Sequence, residues 1–465
     1  MIRNKLKILF IYLLLITMAV ACSKGGNTAE ISSTEKSTMA KASTSSGSNN
    51  ISIYISRGDS VALGAVSEFN SKNADRNITV NEFDYSSQID DTRNKITKEL
   101  MVGEGPDIIY VSNDRMFPSI SKIIESGVFC DLNSFIEKDK EFKFSDYNKV
   151  VLDSGVINGK RFIIPLSYTI PSLWTTKNMF DNNNIHLDSS KWTWKDFFGE
   201  AKKYKADHEG EDKYFVGFPY GDPQYIIEDI CGELVDYENR RTNFDSEEFI
   251  EFLEAYKEIS DSICPGSEIT TLKDLSNYIK KDSIVTISTD GYISPYHMYG
   301  LNSVLKEKLG KELVLLKNPL LSENSPKSAY PVRMVGINSN SRSKEKAFEF
   351  IKLLLSDSYQ SSEQLSSISV NINGYANGID KYTADDFIRD SEMYLDTVID
   401  HPTPLPSKVV GNMNEIISGI NKCKFLDRNI VEIVAGEVAE YLRTGRSAQA
   451  AAKEIDNKVM LYLNE

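Results

Sequence analysis

Hydrophobic positions along the chain change period in a regular order. Ile51, Ile53 and Ile55 alternate with Ser52 and Tyr54, a period of two that predicts a strand over 51–55. Ala62, Ala65, Val66 and Phe69 then fall on one face of a helix. Next come a strand at 78–80 (ITV), a helix carrying Ile89, Ile96 and Leu100, and the apolar strand DIIYV (107–111). A further helix with Ile120, Ile123 and Ile124 stops at Gly127, a residue suited to the position just past a helix end. Strands and helices alternating through short links predict a parallel, doubly wound sheet. Such sheets collect ligands beyond the carboxyl ends of their strands, where the loops SRGD (56–59) and SNDR (112–115) fall.

Beyond residue 150 the pattern is more mixed. RFIIPLSY (161–168) reads as a strand broken by Pro165, and Thr193 as the N-cap of a helix with Trp194 in its first turn. Strands follow at 213–218, 283–288 and 332–338, with helices around 246–259 and 297–309. A helix capped by Ser343 carries Phe348, Ile351 and Leu355. The last hundred residues are largely helical and end in a pair hinged at TGRS (444–447). No internal repeat is present.

The N-terminus has a pattern of its own. Arg3, Lys5 and Lys7 precede an apolar run from Ile8 to Ile16, then Ala19, Ala21 and Cys22, the order of a secretory signal. The apolar run is shorter than the roughly 20 residues a membrane span needs. The tetrad AVAC resembles the lipobox of bacterial lipoproteins, which implies cleavage before Cys22 and a lipid on its thiol. The alternative is an ordinary signal with a chance cysteine. Residues 23–50 hold no aromatic residue and are rich in Ser, Thr and Gly, so they bury too little apolar surface to offset their ordering entropy and read as a flexible tether.

About 415 residues remain, a length that suits two large lobes rather than one small core. The net charge of −14 becomes −17 once Arg3, Lys5 and Lys7 are removed with the signal. An acidic balance argues against a nucleic-acid partner, which needs a basic face. Cys130, Cys231, Cys264 and Cys423 are far apart without a C-x-x-C pair, which argues against a zinc site; one or two disulfides are permitted outside the cell, and unpaired structural thiols are the favoured reading.

The stretch GEGPDIIYVSNDRMFPSISKIIESGVFCDL (103–132) resembles the extracellular solute-binding proteins of ABC importers, in the carbohydrate-type group that includes maltose-binding protein. The shared pattern is Gly-x-Gly-Pro-Asp, an apolar strand, a helix and Gly-x-x-x-Asp-Leu. Further similarities follow in order at NGKRFIIPLSYTIPSLWTTKNMF (158–180), KWTWKDFF (191–198), IVTISTDGY (284–292) and VGINSNSRSKEKAFEFIKLLLS (335–356), and the ending LYLNE is common among such proteins of Gram-positive bacteria. The resemblance implies a two-lobed α/β periplasmic-binding-protein-like (type II) fold with hinge strands. It places crossings near Cys130–Asn133 and Pro331–Gly336, lobe one at 51–130 plus 336–378 and lobe two at 131–335 plus 379–465. It also implies a monomer held by its lipid at the outer face of the cell membrane. That monomer takes up a carbohydrate, needs no cofactor or metal, and hands its ligand to ABC importer membrane subunits.

Sugars are held by aromatic faces against C–H surfaces and by planar polar groups that satisfy hydroxyls. By the resemblance, Asp114 and Arg115 align with a sugar-contacting Asp-Arg pair; an ion pair within the lobe is the equal alternative. Val111 stands where maltose-binding protein has a tryptophan, which argues against maltodextrin. Asp131 aligns with an acid near the hinge, with structural capping as the alternative. Asp222 and Tyr225 match a second-lobe loop supplying an acid and a stacking ring, and Tyr292 follows Gly291 where the family places a stacking aromatic. Tyr168 and Trp174 flank a strand that borders the cleft, with a core position as the alternative for Trp174. Arg333 sits where the family has small residues, and Thr176 replaces an Asn. Trp194 reads as core, Trp192 is undecided, and Asp107 reads as a backbone anchor. RGD at 57–59 reads as a chance tripeptide.

An enzyme is the first rival reading, such as a glycosidase with paired carboxylates. With 67 Asp and Glu residues the count decides nothing, while G-x-S-x-G, H-E-x-x-H and G-x-x-x-x-G-K are all missing and His residues number four. A binder of a non-sugar solute is a second rival, and a sensor or adhesin without a transporter is a third.

Overall fold

The computed structural model describes residues 50–465 except 74–76, 113–115, 184, 186–190, 218–220, 260–261, 265–271, 290–292, 362–366 and 382–402. Cys22, the tether, Asp114, Arg115 and Tyr292 lie outside the described residues.

The predicted strand–helix alternation from residue 51 to residue 125 is present. Strands β1 (Ile51–Ser56), β2 (Ile78–Phe83) and β3 (Ile108–Val111) are parallel, with β1 in the middle. Their period of two sorts side chains to opposite faces. Ile51, Ile53, Ile55, Ile108 and Tyr110 join one buried cluster with the helices Ser60–Lys72 and Lys344–Leu355. Phe83, Ile109 and Val111 join another with Tyr85–Met101 and Ile120–Glu125. Helices cover both faces, which is why β3 is apolar at every position.

The sheet does not continue as a parallel one. The remaining large-sheet strands are β4 (Ile164–Thr169), β5 (Ser172–Thr176), β6 (Tyr214–Val216), β7 (Ile284–Ser288), β8 (Leu313–Lys317), β9 (Ser328–Ile337), β10 (Ile368–Ser369) and β11 (Lys422–Cys423). In the first sheet the order is β10-β4-β9-β3-β1-β2, and β11 pairs with the start of β9. β9 runs antiparallel to β3 and to β4, with register irregularities around Arg333. Pro165 does not break its strand; it lies opposite Met334 at one of those irregularities. A Cβ at Gly336 would stand 2.5 Å from the Phe129 ring, so this point on β9 requires glycine.

The second sheet has the order β8-β5-β7-β6. The sequence pattern did not announce β8, whose apolar run is too short to carry a period. Against this sheet packs an aromatic cluster that includes Trp194, Phe197, Phe198, Phe215, Phe252 and Tyr256. Trp194 is core, as expected, and Thr193 and Asp196 form a reciprocal capping box beneath it. Trp192 is also buried, its Nε1 donating to the Lys317 carbonyl at 3.1 Å.

Sheet membership departs from the boundaries read from the sequence. At 130–133 the chain stays with the first sheet: Cys130 N–H donates to the Ile337 carbonyl at 2.9 Å and Leu132 N–H to the Arg161 carbonyl at 2.8 Å. Likewise Pro331–Gly336 lies inside β9, paired with β4 at Pro331, Arg333, Met334 and Val335 and with β3 from Met334 to Gly336. The chain passes between the sheets at Thr169–Ser172, at Lys317–Ser328 and again between Cys423 and the helix Arg428–Arg443. An apolar run announces a buried strand but not its hydrogen-bond partner, and the partner decides the sheet. All four described cysteines are free thiols.

Candidate ligand site

The carboxyl ends of β1 and β3 meet an unusual residue of β9. Asp59 closes the loop after β1 and caps the helix Ser60–Lys72, Oδ1 accepting from Ala62 N–H at 3.1 Å. Its Oδ2 accepts from the Tyr110 hydroxyl at 2.9 Å, and Arg333 Nε lies 3.8 Å from the same oxygen. The pair is largely out of solvent, with side-chain exposures of 13% for Arg333 and 5% for Asp59. Arg333 Nε and Nη1 are both buried without a hydrogen-bond acceptor, and so is the nearby Tyr359 hydroxyl.

Burial opposes the charge on Arg333, but the Tyr110 and Asp59 oxygens around it outweigh that cost and hold the guanidinium more firmly charged than usual. Burial, with Tyr359 and Asp59 nearby, pushes the Tyr110 phenol well above its ordinary range. The result is a fixed cation with unfilled donor capacity at the end of the sheet where doubly wound folds collect ligands. Arg333 was singled out from sequence; Asp59, Tyr110 and Tyr359 were not. The available signal was an arginine inside an apolar strand, which requires a buried acceptor somewhere else in the chain.

The same geometry disposes of the RGD tripeptide. Arg57 is exposed and faces Glu82 at 3.7 Å, whereas Asp59 is buried and committed to the cap and to Tyr110.

Other residues named from the sequence are spread over both sheets. Asp131 is half-buried, and its Oδ1 accepts from the N–H groups of Asn133 at 3.0 Å and Arg161 at 3.2 Å, a capping arrangement. Tyr168 is buried on β4, its hydroxyl accepting from Asn148 Nδ2 at 3.3 Å. Trp174 is buried on β5, opposite Ile287 and Leu315. Asp222 is exposed and caps the helix Pro223–Leu234 through Gln224 N–H at 2.9 Å. Tyr225, in the first turn of that helix, is half-buried at the edge of the aromatic cluster. Asp107 is a backbone anchor, Oδ2 accepting from Ser52 N–H at 2.9 Å and Oδ1 from the Ser341 hydroxyl at 2.6 Å.

Among the described residues no group of three His, Cys, Asp or Glu is placed to hold a metal ion, and no helix is long and apolar enough to cross a membrane. What the arrangement offers chemically is a buried cation, capping carboxylates and aromatic rings.

The family expected from the sequence is the one matched. Residues 56–261 match the model for bacterial extracellular solute-binding protein. Comparison with curated proteins gives no match. Among solved structures, the sugar-binding protein MalE from Xanthomonas citri shares the fold with a TM-score of 0.63 at 13% identity, over 89% of this chain and 97% of that one. A periplasmic oligogalacturonide-binding protein from Yersinia enterocolitica gives 0.62 at 16%, over 89% and 99%. An ABC substrate-binding protein from Listeria monocytogenes in complex with cycloalternan gives 0.57 at 18%, over 89% and 99%. All three are binding proteins, and at these identities they establish a shared two-lobed fold.

Proposed function

We propose that this chain is the extracellular solute-binding component of an ABC importer and captures a sugar or oligosaccharide between its two lobes. The observation that carries the reading is a fold shared over 89% of the chain with three binding proteins, the names of which give a sugar, an oligogalacturonide and a cycloalternan as ligands. The family match over 56–261 supports it. We take the first lobe as the body of the β1–β4 and β9–β11 sheet and the second as that of β5–β8, joined by the connections at 169–172, 317–328 and 423–428.

On this reading Asp114, Arg115 and Arg333 contact the ligand from the first lobe, and Tyr292, Asp222 and Tyr225 from the second. Asp131, Tyr168 and Trp174 support the strands behind them. Arg333 supplies the directional donors and an aromatic face supplies the apolar contact, the two devices that hold a sugar ring. Cys22 carries a lipid that keeps the monomer at the outer face of the membrane beside its importer subunits, and the bound sugar is released unchanged.

A thermal-shift screen of the full chain against mono- and oligosaccharides tests this. A ligand that binds the folded form alone stabilises it by about 2.7 kcal/mol at a hundredfold excess over Kd. Tyr292→Ala should cost roughly 1–3 kcal/mol of binding and leave unliganded stability unchanged. No shift with any sugar, or steady release of a product by mass spectrometry, would overturn the assignment.

A further inference from the structure

A cavity open to solvent, separate from the Arg333 cluster, lies where the chain passes between the two sheets. Its wall includes Pro171 of the first connection, Lys317–Leu320 and Lys327–Ser328 of the second, and Asp229 and Glu233. None of Asp59, Tyr110, Arg333 or Asp222 lines it. Asp229 and Glu233 stand further along the helix that Asp222 caps, about 10 and 16 Å from the cap at 1.5 Å per residue.

Two polar atoms of this wall are unfilled. Glu233 Oε2 and Ser328 Oγ are both buried, and neither has a hydrogen-bond partner. A buried carboxylate oxygen and a buried hydroxyl are rarely left without partners, because each forfeits its hydration. Apolar contact in the wall comes from Trp192, Leu320, Ile416 and Ile420. The Trp192 N–H is already given to the Lys317 carbonyl, so its ring is what remains for contact.

Charge in the wall favours a cation. Asp229, Glu233 and Glu415 face Lys317 and Lys327, and Lys317 is taken by Glu415 at 2.6 Å. Asp229 accepts from Asn318 Nδ2 at 3.4 Å, and Lys422 and Lys424 stand near Glu233 beyond the lining. Lys424, beyond the wall, donates its Nζ to the Val235 carbonyl.

We propose that this cavity is a second binding site, for a small primary ammonium compound with an apolar body. Glu233 Oε2 and Ser328 Oγ accept from the ammonium, and the body packs on Trp192, Leu320 and Ile420. An ammonium brings three donors, enough for both orphan acceptors, whereas an apolar guest would leave them unfilled. The wall takes in two of the three connections between the sheets, and the site does not depend on the sugar reading.

Benzylammonium chloride is the probe, titrated into the full chain by calorimetry, with benzyl alcohol as the neutral counterpart. We expect millimolar binding of benzylammonium, about tenfold tighter than benzyl alcohol, since a charge-assisted hydrogen bond is the stronger kind. Glu233→Gln should erase that preference, and Leu320→Trp, which fills the cavity, should abolish binding of both. Equal affinity in wild type and Glu233→Gln would overturn the proposal. No binding of benzylammonium would overturn it too, leaving a cavity that holds water only. Should Glu233→Gln fail to fold, Ser328→Ala replaces it: a loss of about tenfold supports the site, and unchanged affinity sinks it.

Discussion

Asp59 holds three things at once, which makes Asp59→Ala an informative perturbation. Removing Oδ1 deletes the N-cap of the helix Ser60–Lys72, a loss of about 1 kcal/mol. Removing Oδ2 leaves the Tyr110 hydroxyl without its acceptor, about 1–3 kcal/mol for a buried group. It also strands the Arg333 guanidinium, already short of acceptors at Nε and Nη1. Breaking a buried pair from one side costs about 3–5 kcal/mol. These effects share the same atoms and do not add in full, so the expected loss is about 3–5 kcal/mol in total. Asp59→Asn keeps an oxygen for the cap and loses the charge, so it should fall between Asp59→Ala and wild type. The assay is urea unfolding followed by circular dichroism, with the slope unchanged and the midpoint lowered. A companion variant, Asp59→Ala with Arg333→Met, removes the stranded cation and should recover part of the loss. If Asp59→Ala unfolds within about 1 kcal/mol of wild type, the cluster is not the buried ion pair described above. If the double variant is as unstable as the two single losses summed, Asp59 and Arg333 are not coupled.

Three further outcomes are expected. Trp194→Ala should cost roughly 3–5 kcal/mol of stability, because the ring is buried against Phe197, Phe198 and Phe252; equilibrium unfolding measures it, and a near-neutral variant would remove Trp194 from the core. Burial pushes Glu233 up to about 7 from an ordinary 4.5, against the lowering pull of Ser325 and Lys422. Because the folded state binds this proton more tightly, the stabilisation is full below 4.5 and is lost as pH rises through 7. Glu233→Gln should therefore match wild type in acid and exceed it by roughly 3 kcal/mol in alkali; a gain that does not change with pH would contradict the shift. Cys22→Ser should release the protein into the medium or leave it as uncleaved precursor, and normal processing with retention in the detergent phase would argue against lipidation.

Much of this protein is determined by short-range pattern. The alternation at Ile51–Ile55 and the helical spacing of Ala62, Ala65, Val66 and Phe69 are local consequences of which positions face water, and the structure has β1 and its following helix there. Thr193 and Asp196 specify a helix start through three residues of chain, so that start was legible as well. The ordered series of motifs from 103 to 356 was enough to indicate the family and a two-lobed body.

Pairing of distant strands was decided by tertiary structure. Apolar runs such as Ile163–Leu166 fit the interior of either sheet equally well, and hydrogen-bond partners more than a hundred residues away assign them. For that reason Cys130–Asn133 and Pro331–Gly336 looked like crossings and proved to be parts of the first sheet. The short run Leu313–Leu316 carried no period at all until β5 lay beside it. The same limit governs the candidate sites. Arg333 in an apolar strand announces that a buried partner must exist, but Asp59 lies 274 positions earlier in the chain. Glu233 and Ser328 meet in one cavity because two connections and two helices converge there. A sequence states what each residue needs from its surroundings; the packing of the whole chain decides which other residue meets that need.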